Sequence, residues 1–591
     1  MSSDPITIVE LRQPRCALRY GTAPCTASGS TYCYQTWTTC KARAVYDGSA
    51  SIRWRFVLDR PGLFAFGDFS DPDNPASHAF PVQSLSVTNA KSALNAAGVL
   101  DGKSPFGVLG GVTVTMPDFP WGDSVGDFYG HLRPARPPRN FWACWAARNA
   151  FFGQMYLVIY TGYYGQTLAE MSQRIYAVEN VAGPNASGQV TITGMNPLKL
   201  VTDSKPKFPP TMDVRLVGDI TAVQTTIRVT TTEPAKLTAA YGNAGIYHMR
   251  IGSEILSYTG VTTVELGVYD LTSCARGVLG TEAATATADS ACQRVGRYVD
   301  TPTWAIGYDL MVNHTPFPAE LINYADWADE GDVYLPTLRS TVTIAEPTLV
   351  EDLMGEICQQ GMFYLWWEEY ANTVRMQAVR PPRGAVRQLT PDLHILRASS
   401  ELRREPESLL TRVFVYYDQK SPIAGLKEPT NYRVVSGRIE SAPEHPNAAN
   451  GPRELSIFGR FVNTEAHAVQ ITQRILSRYA EVPRFLTLRL DAKDRDITIG
   501  SVCDAITREL VDADGNMISS RWQVISWDEV KPGEIYLIDL QTYDYVGFFG
   551  CWMADGAPDW ADATDEDKAA GGWWAGDDGL MPDGAPGTFW Q

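Results

Sequence analysis

Polar and apolar residues alternate along the N-terminal third of the chain with the two-residue period of half-buried β-strands. Such runs lie at residues 51–58, 112–116, 154–160, 174–178 and 189–193. Short strands separated by Gly, Pro and Asn are typical of a β-barrel or a sandwich. We therefore expect a first β domain over residues 46–210, ending in the proline-rich linker KPKFPP at 205–210.

The next stretch, residues 211–300, predicts a small β module. Its strand-like runs at 225–229, 247–258 and 274–281 are broken by glycine turns. Cys274 and Cys292 could pair, but single buried cysteines are the commoner outcome.

Residues 301–546 predict an α+β domain. Apolar residues at helical spacing predict a helix over 347–360, with Gly361 as its C-terminal cap. A hairpin is predicted at 363–377 and a second helix at 465–480, capped by Asn463 or Thr464. Strands are then expected at 485–490, 522–527 and 534–540. The chain as a whole is expected to be mainly β with α+β parts, and multidomain.

Residues 547–591 form a tail of different composition, rich in Asp, Trp, Gly and Pro. The motif MADGAP at 553–558 recurs as MPDGAP at 581–586. No apolar period supports a core there, which predicts a disordered acidic tail. Its tryptophans favour a segment that docks into a partner's pocket.

Charge and hydropathy narrow the classes of function. The 591 residues include 50 Lys and Arg against 67 Asp and Glu, a formal net charge of −17. That sign argues against a protein that grips nucleic acid by neutralising phosphates. The N-terminal residues lack the apolar region of a secretion signal, and no run approaches the roughly 18 apolar residues of a membrane span.

Four of the ten cysteines fall within the first forty-five residues, the stretch that we treat as a separate cysteine-rich segment. Cys16, Cys25, Cys33 and Cys40 have C-x8-C-x7-C-x6-C spacing, with Gly and Pro between them. Structural zinc sites use closer pairs, whereas an iron–sulfur cluster tolerates wider spacing. Two disulfides are also possible, although a reducing cytoplasm disfavours them. Spacing ranks a cluster first, disulfides second and zinc third.

Catalytic motifs are missing from the sequence. The seven histidines form no H-E-x-x-H pair, and the chain has no G-x-S-x-G elbow, P-loop or dinucleotide fingerprint. The run at 512–516 looks like a calcium loop, but its glycine is misplaced, which favours a hairpin turn. We expect no enzyme and no catalytic residue.

Several motifs, taken in their order along the chain, carry a resemblance to a known family. They are FYGHLR at 128–133, NFWACWAARN at 140–149, GPNASGQVTI at 183–192, NPLK at 196–199 and, in the small module, IGSEILSYTG and CARGVLGT. Together they resemble the tail-tip or baseplate hub proteins of long non-contractile-tailed bacteriophages. The cysteine segment resembles the iron–sulfur segment of the lambda-type minor tail protein L, although there it lies toward the C-terminal side.

The resemblance implies a structural virion protein at the tail tip, assembled in the host cytoplasm. A tail-associated peptidoglycan hydrolase and a receptor-binding protein are the alternatives to this role. It implies a homotrimer of tube-like β-barrel hub domains that closes the tail tube and opens for DNA ejection. The implied partners are the distal tail protein, other baseplate proteins, the tape measure protein and tail fibres. DNA would pass through without specific binding. The resemblance also implies a cluster, a [4Fe-4S] type, with Cys16, Cys25, Cys33 and Cys40 as its cofactor-binding and metal-binding residues.

Overall fold

An eight-stranded sheet forms the N-terminal part of the computed structural model. The structure describes residues 5–58, 79–122, 127–134, 139–152, 155–163, 166–203, 205–380, 386–397, 399–446, 451–531, 533–543, 548–551 and 587–590. The strands up to residue 195 are β1 (Pro5–Arg15), β2 (Ala50–Leu58), β3 (Ala79–Val82), β4 (Ser86–Ala90), β5 (Ser92–Ala93), β6 (Gly111–Pro117), β7 (Pro120–Trp121), β8 (Arg139–Asn140), β9 (Tyr156–Tyr163), β10 (Ser172–Ala182) and β11 (Gln189–Met195). The sheet order is β3-β2-β1-β9-β10-β11-β6-β4.

Strand β1 lies inside this sheet, between β2 and β9, and pairs antiparallel with both. The sequence analysis had placed these residues in the separate cysteine-rich segment. The alternation of β1 is obscured by Glu10, which is fully buried and forms ion pairs of 2.6 Å with Arg12 and with Arg55. A carboxylate between two guanidinium groups can be buried because its charge is compensated.

One face of the sheet is covered by helix α2 (Phe141–Arg148), which follows β8 directly. Its Phe141, Trp142 and Trp145 are buried against β2 and its neighbours, and the Phe141 ring lies 5.1 Å from that of Trp54. Apolar residues at positions 141, 142 and 145 lie on one face of a helix, so the local sequence explains which side packs inward.

The small module has a hydrophobic core of its own. Its elements are β13 (Val214–Leu216), β14 (Ile227–Thr231), α4 (Ala235–Thr238), β15 (Tyr247–Ile251), β16 (Glu254–Tyr258), β17 (Gly260–Glu265), β18 (Val268–Thr272) and β19 (Cys292–Arg294). Three short elements come before the module in the chain: α1 (Gly98–Asp101), α3 (Lys199–Asp203) and β12 (Lys207–Phe208). They form two sheets, β13-β14-β18-β17 and β16-β15-β19. Cys274 and Cys292 are buried free thiols.

The second large part combines helices with sheets, as the sequence predicts. Its helices are α5 (Thr303–His314), α6 (Tyr324–Tyr334), α7 (Val350–Gly361) and α8 (Glu465–Tyr479). Its strands are β20 (Gly296–Pro302), β21 (Arg339–Ile344), β22 (Thr348–Leu349), β23 (Phe363–Glu368), β24 (Thr373–Ala378), β25 (Arg387–Leu389), β26 (Glu401–Arg404), β27 (Arg412–Gln419), β28 (Tyr432–Ile439), β29 (Glu454–Phe458), β30 (Arg484–Asp491), β31 (Val502–Val511), β32 (Met517–Lys531) and β33 (Ile535–Thr542). The largest sheet has the order β25-β31-β32-β33-β30-β26. None of the described helices is long and apolar enough to cross a membrane.

A segment of the N-terminal part crosses into this second part. Strand β5 pairs with β32, and the Leu94 amide donates to the Ile525 carbonyl at 2.7 Å. Leu94 and Val99 lie in the same core cluster as α8, and the Tyr479 hydroxyl donates to the Ala96 carbonyl at 2.6 Å. The two large parts are therefore joined by shared core as well as by the chain.

Most predicted elements from 347 onward are confirmed, with one difference at the end of α7. The left-handed residue there is Met362, at φ +53°, and Gly361 is the last helical residue. Gly361 is needed for packing, because a Cβ at this position would lie 2.6 Å from the Phe363 ring. The run at Asp512 is a hairpin turn between β31 and β32, as predicted.

The predicted acidic tail lies mostly outside the described residues. Two short strands within it, β34 (Phe548–Cys551) and β35 (Gly587–Trp590), pair in parallel. Taken together, the chain is a mainly β, multidomain protein.

Candidate cysteine site

The four clustered cysteines lie on one long connection between paired strands. Arg15, the last residue of β1, is paired with Ala50, the first residue of β2, so residues 16–49 connect the two strands. The only regular element described within this connection is a single 3-10 turn, Arg43–Val45. Connections this long without secondary structure are uncommon in compact domains and are usually functional.

Gln35 anchors the start of the connection to its middle. The Cys16 amide donates to the Gln35 carbonyl at 2.8 Å, and the Gln35 side-chain amide donates back to the Cys16 carbonyl at 3.0 Å. Arg15 donates through Nε to the Gln35 side-chain oxygen at 2.8 Å. Gln35 is buried and has φ +56°, a conformation that non-glycine residues adopt only where neighbouring contacts hold it.

Residues 127–133 clamp the connection from outside. Arg133 donates to the carbonyls of Tyr32 and Cys33, each at 2.9 Å, and its Nε pairs with Asp127 at 2.7 Å. The Tyr129 ring stacks on Tyr32 at 4.9 Å between ring centres. Two residues of the FYGHLR motif therefore hold the backbone around Cys33.

The end of helix α2 provides the second clamp. The Arg148 guanidinium lies 3.9 Å from the centre of the Tyr34 ring, and its carbonyl accepts a 2.7 Å hydrogen bond from Thr36. Arg133 faces the same ring at 4.0 Å. Stacking of guanidinium groups on an aromatic ring is favourable where water is excluded. The Tyr34 ring therefore ties the cysteine segment to both motifs, through Arg133 of the first and Arg148 of the second.

The four thiols are free. Cys16 is buried, and Cys25, Cys33 and Cys40 are half-buried. Burial raises the pKa of the Cys33 thiol, and the charges of Cys40, Cys16 and Cys25 raise it further, against a backbone hydrogen bond that lowers it. Cys33 therefore lies within electrostatic range of the other three thiols.

Two tyrosines border the same group of thiols. Burial raises the pKa of Tyr46 to about 12, and the nearby Cys16, Cys40 and Cys33 add to the effect. Burial also raises the pKa of Tyr129, a hydrogen bond from the Tyr20 amide lowers it, and Cys33, Cys25 and Cys16 raise it further. The Tyr46 and Tyr129 hydroxyls therefore lie within electrostatic range of these thiols.

The charge of the surroundings is positive. Residues 16–46 contain Arg19, Lys41 and Arg43 and no Asp or Glu, in a chain whose net charge is −17. Arg133 and Arg148 approach from outside. Cationic side chains around the segment would suit a cluster that carries net negative charge with its four cysteine ligands.

Two observations on the described residues bear on the candidate chemistries of the four thiols. Within the described residues, no group of three or more His, Cys, Asp or Glu side chains is close enough to hold one metal ion. The disulfides that the sequence analysis ranked second are not formed in this structure, where all four thiols are free. An iron–sulfur cluster places its ligands farther apart than a single ion does.

The clamps were not identified as site residues from the sequence. Tyr129, Arg133 and Arg148 lie about a hundred residues after the thiols they surround. Their only sequence signal was membership of the two motifs at 128–133 and 140–149, which carry no indication of a contact with the cysteines.

A scan against protein-family models finds no match, and a search of curated proteins finds none. Among solved structures, the chain is similar to the 43 kDa tail protein of prophage MuSo2 from Shewanella oneidensis, at 9% identity and TM-score 0.34, over 77% of this chain and 94% of that chain. It is similar to the tail protein from Neisseria meningitidis MC58, at 9% identity and TM-score 0.34, over 78% of this chain and 92% of that chain. It is also similar to a chain in the virion of a native gene transfer agent particle, at 12% identity and TM-score 0.29, over 56% of this chain and 84% of that chain. Likenesses this distant do not decide the function.

Proposed function

We propose that this chain is a structural protein of a bacteriophage tail, acting as the hub at the tail tip. In this role it closes the tail tube, anchors receptor-binding or central fibre proteins and opens for DNA ejection. One observation carries the proposal. The two motifs at 128–133 and 140–149, which resemble tail-tip hub proteins, both contact the cysteine segment, the third element of that resemblance.

The hub proposal includes a [4Fe-4S] cluster held by Cys16, Cys25, Cys33 and Cys40. Such a cluster would cross-link four points of a connection that contains little regular structure and little apolar surface. Metal centres stabilise short segments in this way where a hydrophobic core is too small. The protein's own contribution is the positive surroundings and the clamps from Arg133 and Arg148. We assign the cluster a structural role.

The net charge of −17 suits a ring through which DNA leaves. A lumen that attracted phosphates would slow passage, whereas an acidic one repels them. The proposal therefore includes passage of phage DNA without specific binding. It also includes a homotrimer and contacts with the distal tail protein, other baseplate proteins, the tape measure protein and tail fibres.

Electron microscopy of intact particles tests the location. Particles carrying an affinity label fused at the C-terminus should show label at the distal end of the tail, and a reconstruction should place three copies around the tube axis. Label on the head, or one copy per particle, would contradict the hub role.

Metal analysis tests the cluster separately. Protein purified without oxygen should be coloured and contain about four iron and four sulfide per chain. Cys33→Ser should lose most of the iron, whereas Cys144→Ser, a half-exposed thiol on α2 outside the segment, should keep it. Colourless and iron-free wild-type protein that is well folded would refute the cluster and leave the location test standing.

A further inference from the structure

An open cavity of about 540 Å³ lies beside the cysteine segment. Its walls combine Trp37, Thr38 and Tyr46 of the segment with Phe151 and Met155, which come just before β9. The volume falls within the range of pockets that bind small molecules, about 300–1,000 Å³. Neither the hub role nor the cluster uses this cavity.

Two aromatic residues at this cavity are open to solvent. Phe151 is 65% exposed and Trp37 is 44% exposed. The Trp37 ring is held in position, because the Tyr46 ring meets it edge-on at 5.2 Å and the Arg43 guanidinium lies 5.8 Å from its centre. Large apolar groups left exposed around a concavity mark an interaction site. The two rings therefore offer flat apolar surfaces to a ligand.

Two residues that line the cavity also have hydroxyl groups with unused hydrogen-bonding capacity. Thr38 Oγ1 accepts from the Ala150 amide at 2.9 Å, which leaves the Thr38 hydroxyl proton without an acceptor among the described residues. The Tyr46 hydroxyl has no hydrogen-bond partner within the described part of the chain. Both hydroxyls can donate to a ligand, and the Tyr46 oxygen can also accept.

The charge of the lining narrows the class of ligand. Of the described residues that line the cavity, none carries a charge at neutral pH. Arg43, which lies on the Trp37 ring, is not part of the lining and donates to the Thr38 carbonyl. A charged ligand would lose water without gaining a counter-ion in the cavity, and a wholly apolar ligand would cover the two hydroxyls and leave them unpaired. The ligand that fits is neutral, with a flat apolar face and hydroxyls at its edge.

We propose that this cavity binds a neutral pyranose ring, the unit that a neutral glycan presents. The C–H face of the sugar would lie on the rings of Phe151 and Trp37, because that face is apolar while the sugar hydroxyls stay at the edge of the ring. Thr38 and Tyr46 would form hydrogen bonds with those hydroxyls. Glycan binding goes beyond the hub role, which needs no bound sugar.

Saturation-transfer NMR on the full-length protein tests this inference with four probes: methyl β-D-glucopyranoside, methyl β-D-galactopyranoside, methyl α-D-mannopyranoside and methyl N-acetyl-β-D-glucosaminide. At least one should bind with a dissociation constant of about 1–10 mM, the affinity expected for so small a ligand. Saturation should be strongest on the ring protons of one face. Methyl β-D-glucuronide, which is charged, and cyclohexanol, which has a ring but a single hydroxyl, are the control probes and should bind more weakly.

Variants then place the sugar in the cavity. Trp37→Ala and Phe151→Ala should each raise the dissociation constant of the bound glycoside about fivefold, because each removes an aromatic face. Tyr46→Phe keeps the ring and removes the hydroxyl, and should weaken binding by about the same factor. Phe128→Ala is the matched control, because Phe128 is 47% exposed and does not line the cavity, and it should leave the constant unchanged.

Three results would overturn the proposal. They are no saturation transfer to any of the four glycosides well above the expected dissociation constant, glycoside binding that survives both Trp37→Ala and Phe151→Ala, and binding of the glucuronide or of cyclohexanol as tight as that of the best glycoside. Because Trp37 and Phe151 are exposed, their variants should fold as the wild type does, which melting curves check. The measurement needs no iron and no virion, so its failure would leave the hub role and the cluster standing.

Discussion

Arg174→Met should break the main charged contact between the N-terminal sheet and the second large part. Arg174, on β10, lies 2.6 Å from Glu529, on β32, and their side chains are 2% and 1% exposed. Two neighbouring carboxylates also accept hydrogen bonds: Tyr176 donates to Glu369 at 2.7 Å, and the Gly533 amide donates to Glu529 at 2.8 Å. Removing the guanidinium leaves Glu529 buried without its cation.

The expected loss of folding stability in Arg174→Met follows from that burial. Removing one partner of a buried ion pair costs about 3–5 kcal/mol, because the remaining charge has lost its compensation. For a domain of 150–250 residues this corresponds to a fall in melting temperature of about 6–20 °C. Methionine keeps much of the side-chain volume, so most of the loss should come from the charge.

Calorimetry of the full-length protein measures the shift, and hydrogen exchange locates it. The exchange of amides in β10 and β32 should accelerate more than that of amides in the small module. Arg228→Met is the matched control, because its ion pair with Asp270 at 2.8 Å is exposed and should contribute little to stability.

A second variant separates charge from packing. Arg174→Met combined with Glu529→Gln removes both charges and keeps an acceptor for the Gly533 amide, so it should recover at least half of the lost stability. The reasoning is wrong if Arg174→Met shifts the melting temperature no more than Arg228→Met does, or if the double variant is no more stable than the single one.

Three further predictions concern the helices and their pH dependence. Burial lowers the pKa of His467 to about 4, below its usual value of about 6.5. As pH falls, the unfolded chain therefore binds a proton at this histidine before the folded chain does, and about 3 kcal/mol of stability should be lost between pH 6.5 and 4. Denaturation curves of His467→Gln should not show this loss. Gly361→Ala should destabilise by about 1–3 kcal/mol through its clash with the Phe363 ring, whereas Gly218→Ala, whose Cβ meets nothing within 4 Å, should leave the melting temperature unchanged. Thr464→Ala should cost about 1 kcal/mol in urea denaturation, because its side chain caps α8 by accepting from the His467 amide; an unchanged midpoint would contradict the assigned cap.

The local pattern of apolar and polar residues was sufficient to predict helices and hairpins of the second large part. The apolar spacing and a cap at Asn463 or Thr464 predicted α8, which the structure places at Glu465–Tyr479 with Thr464 as the cap. The hairpin β23–β24 and the turn after Val511 were also predicted. These elements depend on residues within a few positions of one another, so their signal survives in a short window of sequence.

Elements that depend on a distant partner were missed. Strand β1 was assigned to the cysteine segment because buried Glu10 interrupts its apolar pattern, and that burial makes sense only once Arg55 lies on the neighbouring strand. The role of Gly361 was misread for a related reason. A glycine is required at position 361 because the Phe363 ring packs against it. Its place near the end of a helix had suggested a C-terminal cap instead.

By itself, the sequence determined the mainly β composition, the small module, the second-part helices and the dense group of thiols at positions 16 to 40. Only the tertiary structure decided that those thiols lie on the connection between two central strands, and that Arg133 and Arg148 hold the connection in place. Periodicity and turn residues record interactions between near neighbours, which each short stretch of chain carries locally. Contacts between residues a hundred positions apart depend on sheet order and on how charges and rings from separate segments compensate one another, and that is settled only when the whole chain has folded.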